Sequence, residues 1–259
     1  MKSPQFLSIV TSSPVKVRLT NLPEIQALGI TTICESNLQR FTAMDNNRAL
    51  GLAEYLAENP EETEVWSAAF YPELPLEAVE IQPYSRAQRG LPCLFSQVGE
   101  LPGIEDGDRF PVGDQWPLSC SPQERAFSLL QERMRKLWSE GRPDAEMKLA
   151  LVADYAGRLN RLSGHHFIHW DGELLFAYSG NETDLEPLAY QSFSFRELCL
   201  NYGVDLELSS EDLVTGVIVA SQSLLGDEAI TINPGNTLCF RQGQLFEQCE
   251  PVSFWERVE

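Results

Sequence analysis

Residues 121–141 read SPQERAFSLLQERMRKLWSEG, and residues 164–178 read GHHFIHWDGELLFAY. The first stretch carries its own helix punctuation. Ser121 is an N-cap residue, Pro122 suits the first turn, and Glu124 stands where it closes a capping box. Ala126, Phe127, Leu130, Met134, Leu137 and Trp138 follow at helical spacing, with Gly141 as the stop. The second stretch reads as a hairpin from His166 to Tyr178 through Asp171-Gly172, the strongest short hairpin signal. Between them a second helix starts near Pro143-Asp144 and sets Leu151, Val152, Tyr155, Leu159 and Leu162 on one face.

Working outward, short strands flank this helical pair. Downstream, Leu213 to Ala220 reads as a buried strand, and Thr237 to Phe246 as a closing hairpin. Upstream, Phe6 to Val10 is a β-rich run before a turn at Ser12-Ser13-Pro14. Thr31 to Cys34, Val65 to Tyr71 and Leu94 to Val98 are further strands, the last two ended by Pro72 and Gly99. The segment from Leu101 to Leu118 is rich in Pro, Gly and Asp and reads as a loop. Ala49 to Tyr55 is ambiguous: its composition favours helix and Gly51 argues against it. Strands, two long helices, then strands predict an α+β fold, with two sheets and helices packed between or beside them.

Composition narrows the function classes. The chain has 259 residues, is 43% hydrophobic and carries a net charge of −19. That length suits one large domain or two small ones. So acidic a chain repels phosphate backbones and anionic lipid, which argues against nucleic-acid and membrane partners. No apolar run reaches the roughly 18 residues of a membrane span. Met1 to Gln5 does not begin a signal peptide, so the expected location is cytoplasmic.

The six cysteines, at 34, 93, 120, 199, 239 and 249, form no CxxC pair and read as reduced thiols. His165 and His169 would share a metal on a helix, but the local pattern is a strand. There they stand about 13 Å apart at about 3.3 Å per residue, so no metal site is expected.

This order of elements resembles the class II glutamine amidotransferase domain, in its short stand-alone form. The resemblance is best from Ser121 to Phe246. Gly164 to Tyr178 is similar to the family's GxFNFLLSDGxxLFAH, and Ser221 to Glu228, through Pro234-Gly235 to Gly243, is similar to its TxPLTxxExWxxxxPGExxxFxxG. The N-terminal half matches more weakly. Arg48 to Tyr55 looks like DGWGIAWY, which turns the ambiguous segment into a strand. Ser67 to Tyr84 takes HVRxATxGxVSxENTHPF without gaps, Phe95 to Leu101 takes FAHNGxL, and Ser121 to Glu124 takes TDSE. The resemblance implies an N-terminal-nucleophile hydrolase fold, a four-layer αββα sandwich, with residues 1–259 as a single domain.

The family's chemistry does not follow the resemblance. Members use a cysteine directly after the initiator Met, with its own amine as base. Lys2 stands there, and a shift of the match by the Phe6-Leu7 pair puts Pro4 at that position. Ala69 replaces the arginine that clamps the substrate carboxylate. Val98 replaces the oxyanion-hole asparagine, although Gly99 keeps its backbone N–H. Pro122 replaces the aspartate that holds the substrate amine, and the capping role explains Glu124.

The resemblance therefore implies a degenerate pocket near Ser67, Ala69, Tyr71, Gln97, Val98 and Gly99, less charged than the family's. The expectation is a binding or scaffolding protein that has lost glutaminase activity, with no catalytic residue, no cofactor and no metal. Its partner is a small molecule or a protein, and its oligomeric state is left open. The rival expectation is an active amidohydrolase with a relocated nucleophile: Cys34 first, then Thr31 or Thr32, or Cys93.

Overall fold

Alternation along each strand decides which core each side chain joins. The computed structural model describes residues 3–22, 24–75, 80–181, 184–201 and 205–250. In β1 (Gln5–Asn21) Phe6 and Val10 face one core while Leu7 and Ile9 face another. β4 (Glu62–Tyr71) repeats the pattern, with Val65, Ala69 and Tyr71 on one side and Trp66, Ala68 and Phe70 on the other. Sheets apolar on both faces must be covered on both, and this sheet is.

β1 and β4 belong to a seven-stranded antiparallel sheet in the order β11-β9-β10-β1-β4-β2-β3. Its other strands are β2 (Ala27–Cys34), β3 (Asn37–Met44), β9 (Leu188–Asn201), β10 (Asp205–Ser221) and β11 (Ile230–Thr231). A second antiparallel sheet runs β13-β12-β8-β7-β6-β5. It contains β5 (Tyr84–Gln88), β6 (Leu91–Val98), β7 (His166–Trp170), β8 (Leu175–Ser179), β12 (Thr237–Arg241) and β13 (Gln244–Cys249). Leu94, Val98, Ile168, Ala177 and Phe240 from this sheet meet Phe6, Val10, Ala69 and Val219 from the first in one core between the two.

Helices cover the outer faces, not the space between the sheets. α2 (Pro122–Ser139) and α3 (Ala145–Leu159) pack Phe127, Leu130, Val152 and Tyr155 onto Phe95, Phe167 and Phe176. α1 (Asn46–Glu58) lays Ala49 and Ala53 on the outer face of the first sheet. The layers are thus α1, sheet, sheet, α2 with α3: the expected α+β αββα sandwich. No helix among the described residues is long and apolar enough to cross a membrane.

Two expectations are corrected. Arg48 to Tyr55 is not a strand but the body of α1. Asp45 caps that helix by accepting from Arg48 N at 3.0 Å, and Ala49, Leu52, Ala53 and Leu56 form a stripe of helical period. Gly51 meets open space, so it costs only the ~1 kcal/mol of glycine in a helix. Ser12-Ser13-Pro14 is likewise not a turn. β1 continues through it with a register shift against both neighbours, the kind of bulge that tolerates a proline without an N–H.

The helix start at Ser121 holds, with one change of partner. Ser121 Oγ accepts from Glu124 N at 3.4 Å, but the Glu124 carboxylate does not return to Ser121 N. It accepts instead from Leu118 N at 2.9 Å, Ser119 N at 2.7 Å and Ser119 Oγ at 2.7 Å, and pairs with Arg86 at 3.3 Å. The buried glutamate therefore anchors the end of the 101–118 loop to the helix.

The hairpin through Asp171-Gly172 forms as expected. Asp171 Oδ1 accepts from Glu173 N at 2.9 Å and Leu174 N at 2.8 Å. Lys148 of α3, itself buried, sets its ammonium 2.9 Å from both Asp171 and Glu173. This ion group locks the helix layer to the hairpin.

Candidate functional site

A cleft of about 660 Å³ opens at one end of the sandwich. Chain from both sheets and the outer layer converges there: Ser3-Pro4 before β1, Tyr71 at the end of β4, Gln97-Val98-Gly99 at the end of β6, Ser121 and Gln123 at the start of α2, and Ser163-Gly164 before β7. Asp184-Leu185 before β9 and the connections after β4 and before β5 complete the wall. A smaller hollow of about 200 Å³ against α1 contains Thr32 but none of the six residues expected at the pocket.

Of those six, Tyr71, Gln97, Val98 and Gly99 line the cleft. Ser67 and Ala69 lie on the correct face of β4 but deeper. Ser67 Oγ is 2.7 Å from Ser8 Oγ inside the sandwich, and Ala69 is sealed in the core with Ile81. The segment 80–83 covers Ala69. It can lie so close because Gly29, the cross-strand neighbour of Ala69, has no side chain. A Cβ there would stand 1.8 Å from Gln82 O.

That segment is held from four sides. Arg40 donates to Ile81 O. Tyr71 Oη accepts from Gln82 N at 2.8 Å and reaches Glu80 O at 3.3 Å. Tyr84 Oη lies 3.2 Å from Glu80 O and 2.9 Å from Ser121 Oγ. The Gln82 side chain pairs with the Gln97 backbone. Burial pushes both tyrosine hydroxyls well above the ordinary phenol range, so neither supplies a base at neutral pH.

At the position that the motif match gives to the family's oxyanion-hole asparagine, Val98 turns into the core between the sheets and offers no donor. Gly99 follows at φ 106°, and a Cβ there would meet Gly164 O at 2.6 Å, so only glycine fits. Gln97 is fully buried. Its Nε2 donates to Val98 O at 2.9 Å and Gly99 O at 3.0 Å. Among the described residues its Oε1 has no partner.

Charge in the wall is of one sign. Among the described residues Glu73, Glu80, Glu100 and Asp184 contribute to it, and no Lys, Arg or His does. Ser3 and Pro4 line the cleft; Pro4 is the position that the Phe6-Leu7 match assigns to the family's nucleophile, while Lys2 falls outside the described residues.

The rival nucleophiles lie elsewhere. Ala27 of β2 pairs with Tyr71 at the cleft end. Cys34 closes the same strand, about 23 Å further on at about 3.3 Å per residue. Burial, then Glu64, Glu35 and Glu62, raise its thiol pKa. Cys93 is buried under α2, and burial pushes its thiol up to about 12. Thr31 is fully buried mid-strand. Cys199 lies outside the described side chains.

The three histidines are structural in their contacts. His169 Nδ1 donates to Leu94 O at 2.8 Å, His165 Nδ1 lies 3.3 Å from Ser163 O, and His166 Nδ1 accepts from Gly180 N at 2.8 Å. Among the described residues no group of His, Cys, Asp or Glu is placed to hold a metal ion.

Sequence reasoning missed Gln82, Ser163, Gly164, Asp184 and Leu185. Gln82 was within reach, because it occupies the histidine of the family's HPF. Gly164 opens the Gly164–Tyr178 motif match, and Ser163, Asp184 and Leu185 sit in connections with no local signal.

The family model for class II glutamine amidotransferases matches residues 75–258. The chain belongs to that family. Among solved structures, a predicted glutamine amidotransferase from Pseudomonas aeruginosa superposes with a TM-score of 0.72 at 14% identity, covering 94% of this chain and 99% of that one. A class II domain protein from Silicibacter pomeroyi gives 0.57 at 11%, covering 96% and 99%. Glutamine phosphoribosylpyrophosphate amidotransferase from Bacillus subtilis also gives 0.57 at 11%, covering 96% of this chain but 49% of that one. These likenesses establish the N-terminal-nucleophile hydrolase-like fold. No curated protein matches the chain by sequence.

Proposed function

We propose that this chain keeps the class II amidotransferase fold for binding and has given up glutamine hydrolysis. The observation that carries the reading is the composition of the cleft wall at the family's catalytic end. Pro4 has neither thiol nor primary amine to offer there, Val98 faces the core, and among the described residues no arginine or lysine stands in the wall to take a carboxylate. Covalent glutaminase chemistry needs a nucleophile, a base and an oxyanion donor together. A loss of one donor costs about 10²–10³ in rate, and loss of the nucleophile removes the route.

In this reading the ligand-binding residues are Tyr71, Gln97, Val98 and Gly99, with Ser67 and Ala69 as the floor beneath them. Residues 1–259 act as one such domain, and the acidic chain works in the cytoplasm. The test is ammonia release from L-glutamine by the purified chain, beside a glutaminase-active family member. Release no faster than buffer is expected. Release that persists through re-purification overturns the reading.

A further inference from the structure

We propose that the hollow against α1 is a second ligand site, built for a small, flat, uncharged carbonyl compound such as an aryl amide or lactam. It lies outside the cleft. Tyr71 marks the cleft on β4, and Trp66 sits five residues back along that strand on the opposite face. That is about 17 Å away at about 3.3 Å per residue. The inference therefore does not depend on how the cleft is read.

The floor of the hollow is one cross-strand row on the outer face of the first sheet. Gln39 of β3 stands opposite Thr32 of β2, and Thr32 opposite Trp66 of β4. Trp66 is only 4% exposed, and it lines this hollow. Among the described residues its indole N–H has no acceptor, yet the nitrogen is not sealed and keeps surface open to an occupant. A buried tryptophan usually finds an acceptor for that hydrogen, and an indole nitrogen can only donate. An open donor thus stands at the bottom of a space of about 200 Å³. The Thr32 hydroxyl and the Gln39 amide flank it, and each can donate and accept.

Phe41 of β3, with Tyr55 and Leu56 of α1, forms the walls and suits a flat apolar body. A carbonyl oxygen takes the Trp66 hydrogen, and an amide N–H on the same ligand finds an acceptor in Thr32 or Gln39. An amine sets a second donor against the indole N–H. A carboxylate meets Glu61 beside the hollow, with no Lys or Arg among the described lining residues, on a chain of net charge −19.

Benzamide, benzoate and benzylamine share a ring and differ in the head group. Their binding to the full chain is followed at neutral pH by proton–nitrogen correlation NMR, with the assigned Trp66 indole cross-peak as the reporter. Benzamide is expected to move that peak and to bind at least about tenfold more tightly than the other two. Trp66→Phe keeps a ring at the floor and removes the hydrogen, and is expected to weaken benzamide about three- to tenfold. Tyr55→Ala removes a wall at a side chain that is 57% exposed, and is expected to weaken it by a similar factor without moving the unfolding midpoint. That second variant and the Trp66 peak of the parent chain decide the matter even where Trp66→Phe fails to fold. No binding of benzamide, binding that leaves the Trp66 peak in place, equal or tighter binding of benzoate or benzylamine, or a benzamide affinity untouched by Tyr55→Ala each overturns the inference. The loss of glutaminase is tested separately by the ammonia assay.

Discussion

The Gln82 side chain completes a two-bond pair with the backbone of Gln97: Nε2 donates to Gln97 O at 2.9 Å, and Oε1 accepts from Gln97 N at 2.5 Å. β5 pairs with β6 only as far as Tyr84 and Phe95. The side-chain amide then stands in for the next residues of the missing strand. Gln82→Leu strips both bonds from a buried N–H and C=O. A loss of about 2–4 kcal/mol is expected, since each orphaned buried group costs about 1–3 kcal/mol. Urea unfolding measures it.

Glu124 makes the loop end pH-sensitive. Burial raises its pKa, but the hydrogen bonds from Leu118 and Ser119 and the Arg86 guanidinium outweigh that and hold it below the ordinary 4.5. A depressed carboxylate stabilises the fold above 4.5, and that contribution fades as pH falls below it through the folded-state value. Glu124→Gln is expected to cost about 1–3 kcal/mol at pH 7. It should also flatten the stability profile below pH 4.5 relative to the parent chain.

Lys148 illustrates how asymmetric a buried ion group is. Lys148→Met leaves the Asp171 and Glu173 carboxylates without their shared ammonium and is expected to cost about 3–5 kcal/mol. Adding Asp171→Asn should restore part of that loss, because the deeper uncompensated charge is then gone. Strict additivity of the two changes in a double-mutant cycle would show that the ion group is not coupled.

His165 and His166 load the fold against acid. Burial lowers both to about 4 from the ordinary 6.5. Between those values the unfolded chain binds protons that the folded chain refuses. Stability is therefore full above pH 6.5 and falls towards pH 4, by up to about 1.4 kcal/mol per pH unit for each ring. His165→Gln should reduce that slope. In NMR titrations of the folded chain both rings are expected to stay neutral at pH 5.5.

Thiol accessibility separates the cysteines. Cys120 is exposed, whereas Cys93 and Cys239 are buried, and burial pushes both thiols up to about 12. Native alkylation with iodoacetamide at pH 8 should label Cys120 first and spare those two until unfolding. Peptide mass spectrometry gives the order.

What the sequence disclosed was what neighbouring residues settle among themselves. The α2 start needs only Ser121, Pro122 and Glu124, and the Asp171-Gly172 hairpin only its turn chemistry. Arg48 to Tyr55 went astray because a motif laid across it displaced a local helix signal: the Asp45 cap and the spacing of Ala49, Leu52, Ala53 and Leu56 were present to be read. The cleft was legible where strand ends set it, at Tyr71 and Gln97 to Gly99. How far along β4 the wall reaches was not. Ser67 and Ala69 share Tyr71's face, and only the path of segment 80–83 over Gly29 decides that Ala69 is roofed. Asp184 and Ser163 come from connections whose placement depends on the whole sandwich.

Gly29 makes a residue that no ligand touches a determinant of the site. Its missing side chain lets Gln82 rest on the sheet, and any β-carbon at residue 29 would press on the Gln82 carbonyl from below. Substitutions there would lift the segment that carries Glu80 and Gln82 and unseat the Gln82–Gln97 pair at the cleft wall. A screen of random variants for altered ligand choice would thus return position 29 beside the wall residues. In inheritance as in a screen, the shape of this cleft is written partly on a strand beneath it.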